Sequence, residues 1–266
     1  MSVRPAITFA IQGIVDPEYV DYADRIVYAA SVFSDDLDGV EIGLHGHMAE
    51  SLAERVLLPH VFESLECFSR NTLHFAMHPL HPLTEKDIGA IVRMCSVLFE
   101  RGLVRGASFH LDMEPCFERV QAAVPEGLPL SFENLDIQSP GFGSLEAVSN
   151  AAGRFPSWGI VLDIAHVVEM QVLGGVGVGE FFDALSNRIS QIHFSLPGHH
   201  YPKQVLWSGF KAMHSFAFLD GEAAKKAYHA APLGTVENIT LEGVLPPNRE
   251  DFLREEIRFL RQGWLS

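Results

Sequence analysis

Cysteine is scarce in this chain and forms no pattern. The three present, Cys67, Cys95 and Cys116, are too few, odd in number and unspaced for a disulfide framework or a zinc ribbon. Cys67 and Cys95 fall in helix-like segments and read as buried, reduced thiols, which suits a cytoplasmic location. Positive charge is sparse as well. The 19 Lys and Arg against 34 Asp and Glu leave a formal net charge of −15, and an acidic surface argues against binding to nucleic acid or anionic membranes. Carboxylates gathered around a metal would count toward that total and be neutralised in use. No apolar run is long enough to span a bilayer. The short one near the start is followed by Asp16 and Glu18 with no small-residue cleavage pattern, so neither an anchor nor a signal peptide is expected.

Low-complexity runs and long Pro/Gly linkers are missing too. What is there is a chain of 266 residues, 47% apolar with 19 Phe, enough for a large core. One domain over 1–266 is expected, at the usual length of a single α/β barrel. Short apolar runs rich in Val, Ile, Phe and Leu recur at 6–11, 39–43, 72–77, 106–111, 128–133, 159–164, 189–194 and 238–243. Between and after them lie amphipathic stretches at 19–33, 49–69, 85–101, 115–124, 145–155, 178–185, 222–230 and 249–261. Eight alternating β and α units, with strands that read apolar on both faces, predict a (β/α)₈ TIM barrel: eight parallel strands surrounded by helices. A doubly wound open sheet would carry a Gly-rich phosphate turn after its first strand. Here that strand runs into Gln12-Gly13-Ile14, and the glycine-rich stretch 174–180 follows no strand, so no nucleotide cofactor is expected.

In such a barrel, chemistry gathers at the C-terminal strand ends. The third strand ends on His78 and His81, the fourth on His110, Asp112 and Glu114, and the fifth on Glu133, Asn134 and Asp136. The sixth ends on Asp163 and His166, the seventh on His193, the eighth on Glu242. One polar residue at a strand end is usually a satisfied buried group. Six consecutive strands ending this way aim carboxylates at one axis, where without a cation they would cost several kcal/mol each. A divalent metal removes that cost, and a mixture of Glu, Asp and neutral His suits Mn²⁺, Co²⁺, Zn²⁺ or Fe²⁺ better than Ca²⁺.

The ordered set of FEN at strand five, LD-x-x-H at strand six, IHFS at strand seven and LEG at strand eight resembles the xylose-isomerase-like barrel superfamily. That group holds sugar isomerases and epimerases and the endonuclease IV branch of apurinic endonucleases (AP endonuclease family 2). The resemblance implies a four-ligand metal site at Glu133, Asp163, His193 and Glu242. In the epimerase branch it implies that Glu133 and Glu242 also act as the acid/base pair and that His166 touches substrate. His214, Lys203 and Trp207 are the further substrate contacts the chain offers after strand seven, Lys203 standing where the epimerases often have an Arg. In the endonuclease branch, His78 and His110 would hold a second metal. A complete third site would need an Asp-x-His after strand seven, and Ala212-Met213-His214 lacks the Asp.

Three functions follow. The first is a metal-dependent isomerase, epimerase or dehydratase acting on a small carbohydrate-like substrate, a sugar, polyol or keto compound. The second is a multi-metal phosphodiesterase like endonuclease IV, which His78 and His110 favour and the lack of any basic cluster beyond Lys225-Lys226 disfavours. The third is a barrel that only binds a metabolite or partner. Trp207, Phe210, Phe216 and Phe218 read as loop packing or as a cover over the pocket. His45 and His47 are expected at the cup mouth, and His199 and His200 in a surface loop or lid. His60, His74 and His229 read as packing or surface residues. A homo-oligomer is compatible with the sequence.

Overall fold

The computed structural model describes residues 4–15, 21–77, 81–198 and 214–265. Eight parallel strands close into a barrel. They are β1 (Ala6–Ala10), β2 (Gly39–His45), β3 (Thr72–Ala76), β4 (Ala107–His110), β5 (Leu130–Glu133), β6 (Gly159–Asp163), β7 (Ile189–Phe194) and β10 (Asn238–Leu241). Each pairs with its neighbours in chain order, and β10 closes the ring against β1 through the register Thr8 to Thr240. A short antiparallel pair, β8 (Leu196–Pro197) with β9 (His214–Ser215), lies between β7 and β10 in the chain.

The helices follow local signals. α1 (Tyr22–Phe33) is capped by Asp21, α4 (Glu85–Glu100) starts with a capping box between Thr84 and Asp87, and α6 (Leu145–Arg154) is capped by Ser144. Each such cap satisfies backbone N–H groups that the first turn leaves over, a contribution of about 1 kcal/mol. The single helical stretch expected at 49–69 is two helices, α2 (Ala49–Val56) and α3 (Pro59–Leu65), because Pro59 cannot continue a helix but fits the first position of a new one. The remaining helices are α5 (Phe117–Ala123), α7 (Ile164–Met170), α8 (Val178–Leu185), α9 (Gly221–Tyr228) and α10 (Glu250–Trp264). No helix among the described residues is long and apolar enough to cross a membrane.

The main apolar core lies between strands and helices. Phe75 stacks on Phe109 and Phe117 on Trp158, at ring-centroid separations of 5.1 and 4.4 Å, and each such ring contributes about 1.5–3 kcal/mol by leaving water. The Trp158 indole N–H donates to Gln121 at 2.7 Å, so burial leaves no polar atom stranded. Cys95 is buried in this layer, whereas Cys67 is exposed just past α3, contrary to its sequence reading.

The strands are not apolar on both faces. Alternate residues turn into the barrel and are small or polar: Thr8, Glu41, Thr72, His74, Ser108, Gln191, His193, Asn238 and Thr240. Thr8 and Thr240 share a hydrogen bond of 2.8 Å, Asn238 donates to Thr8 at 3.2 Å, and Gln191 donates to Thr240 at 3.0 Å. A barrel of this kind is ordinarily filled by layers of branched apolar side chains. Here a hydrogen-bonded polar column fills the axis, and the site stands at its C-terminal end.

Candidate functional site

The LD-x-x-H spacing at strand six has a capping explanation. Asp163 ends β6 and is the N-cap of α7, its Oδ1 accepting the backbone N–H of His166 at 2.9 Å. That turn leaves Oδ2 free toward the barrel axis and sets His166 one turn further on. Sequence reading missed α7 itself, seven residues long and directly joined to its strand. Asn134, next to Glu133, clamps β5 to β6: its Oδ1 accepts the Asp163 N–H at 2.8 Å and its amide donates to the Asp163 carbonyl at 3.1 Å. Glu242 follows β10 and extends its ladder, its N–H donating to the Phe194 carbonyl at 3.2 Å.

These backbone positions bring the four expected ligands together. His193 Nδ1 lies 3.1 Å from Glu133 Oε1, 3.3 Å from Glu242 Oε2 and 3.8 Å from Asp163 Oδ2. Glu133, Asp163 and His193 side chains are at most 1% exposed, while Glu242 is 10% exposed and His214 15%, so the last two form the wall and the first three the floor. His214 Nδ1 stands 3.7 Å from Glu242 Oε2 and 4.0 Å from Asp163 Oδ2. His166 Nε2 is 3.7 Å from Asp163 Oδ2, and His110 Nε2 is 3.7 Å from Glu133 Oε2. Above this floor opens a cavity of about 320 Å³ lined by His110, Asp112, Glu133, His166, His214 and Glu242, with His45 at its edge.

Two residues that sequence reading left out belong here. His74, read as packing or surface, points inward from mid-β3 with Nε2 3.1 Å from Glu133 Oε2. Glu41 on β2 is fully buried, its Oε1 3.2 Å from His193 Nε2. Both carry one legible signal, a polar residue alternating with apolar ones along a strand. Of the other expectations, His47 stacks on His81 at 4.8 Å near the mouth, and Glu114 pairs with Arg154 at 2.8 Å rather than entering the site. Phe216 is fully buried against Phe9 and Phe252, and the half-buried Phe218 packs on Phe252, so these two pack between barrel and helix and do not line the pocket. His78, His199, His200, Lys203, Trp207 and Phe210 lie outside the described residues.

The electrostatics follow from carboxylates and imidazoles crowded out of water. Burial would raise the Glu133 carboxyl, but His193, His74 and His110 hold it below the usual range. Asp163 is likewise held well down against burial by His166, His214 and His193. Burial would lower His193, yet Glu242, Glu41 and Glu133 push it well above its ordinary value. His166 is pushed up to about 9 against burial by Asp163 and Glu133, whereas for His110 burial wins over Glu133 and lowers it to about 3. Asp112 is raised by burial to about 6. In the metal-free chain, protons on His193 and His166 thus stand in for a cation.

The donor set fits a metal on two further counts. Glu133 Oε2, Asp163 Oδ2 and Glu242 Oε2 are buried oxygens without a hydrogen-bond partner, each expensive to leave so. The imidazole tautomers are also set from behind. Ser108 gives its hydroxyl proton to the Leu73 carbonyl at 3.2 Å and so accepts from His74 Nδ1 at 2.9 Å. His166 Nδ1 donates to the Asn134 carbonyl at 2.9 Å. In its neutral form each of these rings turns an unprotonated Nε2 toward a carboxylate, so a cation between them can replace the extra proton. The sets Glu133–Asp163–His193, His74–His110–Glu133 and Asp163–His166–His214 each gather their donor atoms within 4.8 Å of one another.

Compared with family models and with curated protein sequences, the chain matches none. Solved structures do resemble it in three dimensions, among them the following. A thermostable mutant of the xylanase Xyn10A from Cellvibrio japonicus aligns at 12% identity and a TM-score of 0.50, covering 91% of this chain and 87% of that one. D-psicose 3-epimerase, crystallised in the presence of D-fructose, aligns at 11% identity and a TM-score of 0.50, covering 97% of this chain and 92% of that one. The catalytic core of xylanase A aligns at 12% identity and a TM-score of 0.50, covering 90% and 86%. What they share with this chain is the barrel. At such identities the likeness is one of fold, and a fold of this kind hosts many chemistries.

Proposed function

We propose that this chain is a divalent-metal-dependent isomerase or epimerase, or a dehydratase, of a sugar, polyol or related keto compound, acting by proton transfer beside a carbonyl. The observation that carries the reading is the gathering of the Glu133, Asp163 and Glu242 carboxylates around His193 Nδ1 at the floor of a cavity, each with one buried oxygen that has no hydrogen-bond partner. Glu133, Asp163, His193 and Glu242 are the residues that would hold the metal. Mn²⁺, Co²⁺, Zn²⁺ or Fe²⁺ bound there would supply Lewis acidity at a carbonyl and a neighbouring hydroxyl oxygen. Glu133 and Glu242 reach the site from β5 and from beyond β10, so one can take a proton from carbon and the other return one. His166, its Nδ1 tied to Asn134, presents Nε2 to a substrate oxygen, and His214 on the wall offers a second polar contact. Lys203 and Trp207, which lie outside the described residues, remain proposed contacts.

A cavity of about 320 Å³ is at the small end of ligand pockets, about 300–1,000 Å³, which suits a small metabolite. A barrel shared with D-psicose 3-epimerase is compatible with this reading, and the xylanases that share it equally well keep the barrel itself from deciding the reaction. The test is solvent-deuterium incorporation at carbon over a panel of ketoses and inososes, with Mn²⁺ or Zn²⁺ added to metal-free protein. Incorporation that Glu133→Gln or Glu242→Gln abolishes supports the proposal. If protein purified without chelator holds no transition metal, and added metal leaves thermal stability unchanged, the metal reading fails.

The sets His74–His110–Glu133 and Asp163–His166–His214 favour a second reading, a multi-metal phosphodiesterase: these residues would hold the metals, which would supply activation of water and charge stabilisation at a phosphodiester. Under it, more than one metal equivalent binds, replacing His74 and His110 by Ala removes one, and an abasic-site DNA is cleaved.

A further inference from the structure

Glu41 lies below the site rather than in it. It sits mid-strand in β2, fully buried, on the opposite side of His193 from the three carboxylates of the metal set. His193 therefore meets carboxylates at both ring nitrogens, and the hydrogen-bond inventory tells them apart. Gln191 has two amide protons. One goes to Glu41 Oε2 at 2.5 Å and the other to Thr240 Oγ1 at 3.0 Å. The 3.2 Å approach of Gln191 Nε2 to His193 Nε2 is then left without a proton to share. With Nδ1 turned to the three carboxylates of the metal set, Nε2 is the nitrogen left to carry a proton, and among the described residues its acceptor is Glu41, through Oε2 at 3.3 Å, with Oε1 3.2 Å away but outside hydrogen-bond geometry. Glu41 itself is braced by Gln191 and by the Thr72 hydroxyl at 3.5 Å.

From this geometry we infer that Glu41 is a positioning residue: once a metal displaces the Nδ1 proton, it holds His193 as the Nε2–H tautomer with Nδ1 turned toward Glu133, Asp163 and Glu242, completing a carboxylate–histidine–metal triad. The inference rests on the metal reading above. A carboxylate behind a metal-bound imidazole fixes ring and tautomer and raises ligand basicity, and its loss typically weakens metal binding about 10–100-fold. Replacing Glu41 by Gln keeps the volume and removes the charge.

The experiment is Zn²⁺ titration of metal-free wild type and Glu41→Gln, with histidine ¹⁵N spectra of both in the zinc-loaded state and His193 assigned by its loss in His193→Gln. The expected result is one protonated Nε2 and one zinc-bound Nδ1 at His193 in wild type, and Zn²⁺ affinity lowered about 10–100-fold in Glu41→Gln. Glu41→Asp, which keeps the charge but shortens the reach, recovers part of that loss. The inference is overturned if zinc sits on Nε2, or if Glu41→Gln binds as tightly as wild type. It is also overturned if Glu41→Gln loses one whole equivalent and keeps full affinity at the rest, since Glu41, His74 and His193 lie close enough for Glu41 to be a ligand of its own site. Wild type that takes up no zinc refutes the metal reading itself, a result distinct from equal binding by both proteins. If Glu41→Gln does not fold, the wild-type spectrum alone decides the tautomer.

Discussion

Glu256 offers a test of how this chain handles a buried charge away from the candidate metal. It lies in α10 with no solvent exposure, and its two oxygens accept the N–H groups of Ala217 at 2.7 Å and Phe218 at 2.9 Å. Burial pushes its carboxyl up to about 8 from an ordinary 4.5, with the two N–H bonds opposing. The folded state thus binds this proton more tightly than the unfolded chain does. The associated stability is full below about pH 4.5 and is lost as pH rises through about 8. At about 1.36 kcal/mol per pH unit, the interval amounts to about 5 kcal/mol. Glu256→Gln removes the titration but turns an amide N–H₂ at one of two backbone donors, leaving a buried N–H unpaired at about 1–3 kcal/mol. Wild type should therefore be the more stable at about pH 5, and by about pH 8 the gap should have narrowed by about 3–4 kcal/mol and reversed. Urea unfolding of both proteins in chelating buffer at the two pH values measures it, because the other titrating groups are common to both and cancel. A gap constant to within about 1 kcal/mol would mean that the two backbone N–H groups keep Glu256 ionised throughout, and the burial argument would be wrong.

Metal added at about 100 times its dissociation constant should stabilise the fold by about 2.7 kcal/mol, a rise in Tm of about 5–10 °C for a domain near this size, and thermal scans with and without chelator check it. Tyr228 accepts the Ser195 N–H at 2.8 Å and donates to the Ser195 carbonyl at 2.7 Å. Tyr228→Phe strands both groups in the core and should cost about 1–3 kcal/mol for each, read by denaturant unfolding. Gly243 follows Glu242 with no room for a Cβ, which would overlap the buried Phe216 ring. Gly243→Ala should therefore cost about 1–3 kcal/mol and weaken metal binding by shifting Glu242, the two effects separated by unfolding and by metal titration.

By itself the sequence determined the alternation that makes this barrel: eight apolar runs, each followed by an amphipathic stretch, leave parallel strands little alternative to closing under a coat of helices. It also marked Glu133, Asp163, His193 and Glu242, because a polar residue ending an apolar strand shows locally, and the spacing of Asp163 and His166 belongs to a single helix cap. The tertiary structure decided the rest, for reasons that are not local. Glu41 and His74 sit mid-strand, and whether a mid-strand residue faces the axis or the helices depends on the register and closure of the whole ring. His74 meets Glu133 two strands away, and Glu41 meets His193 across the barrel, contacts between residues 59 and 152 positions apart in the chain. The polar lining of the axis escaped notice for the same reason, since the apolar residues alternating with it dominate each run. Phe216 and Phe218 could be read as a cover or as core until α10 was packed against them. The tautomers of His74, His166 and His193 rest on Ser108, Asn134 and Glu41, partners in β4, just past β5 and in β2. Only closure of the ring brings them behind the imidazoles.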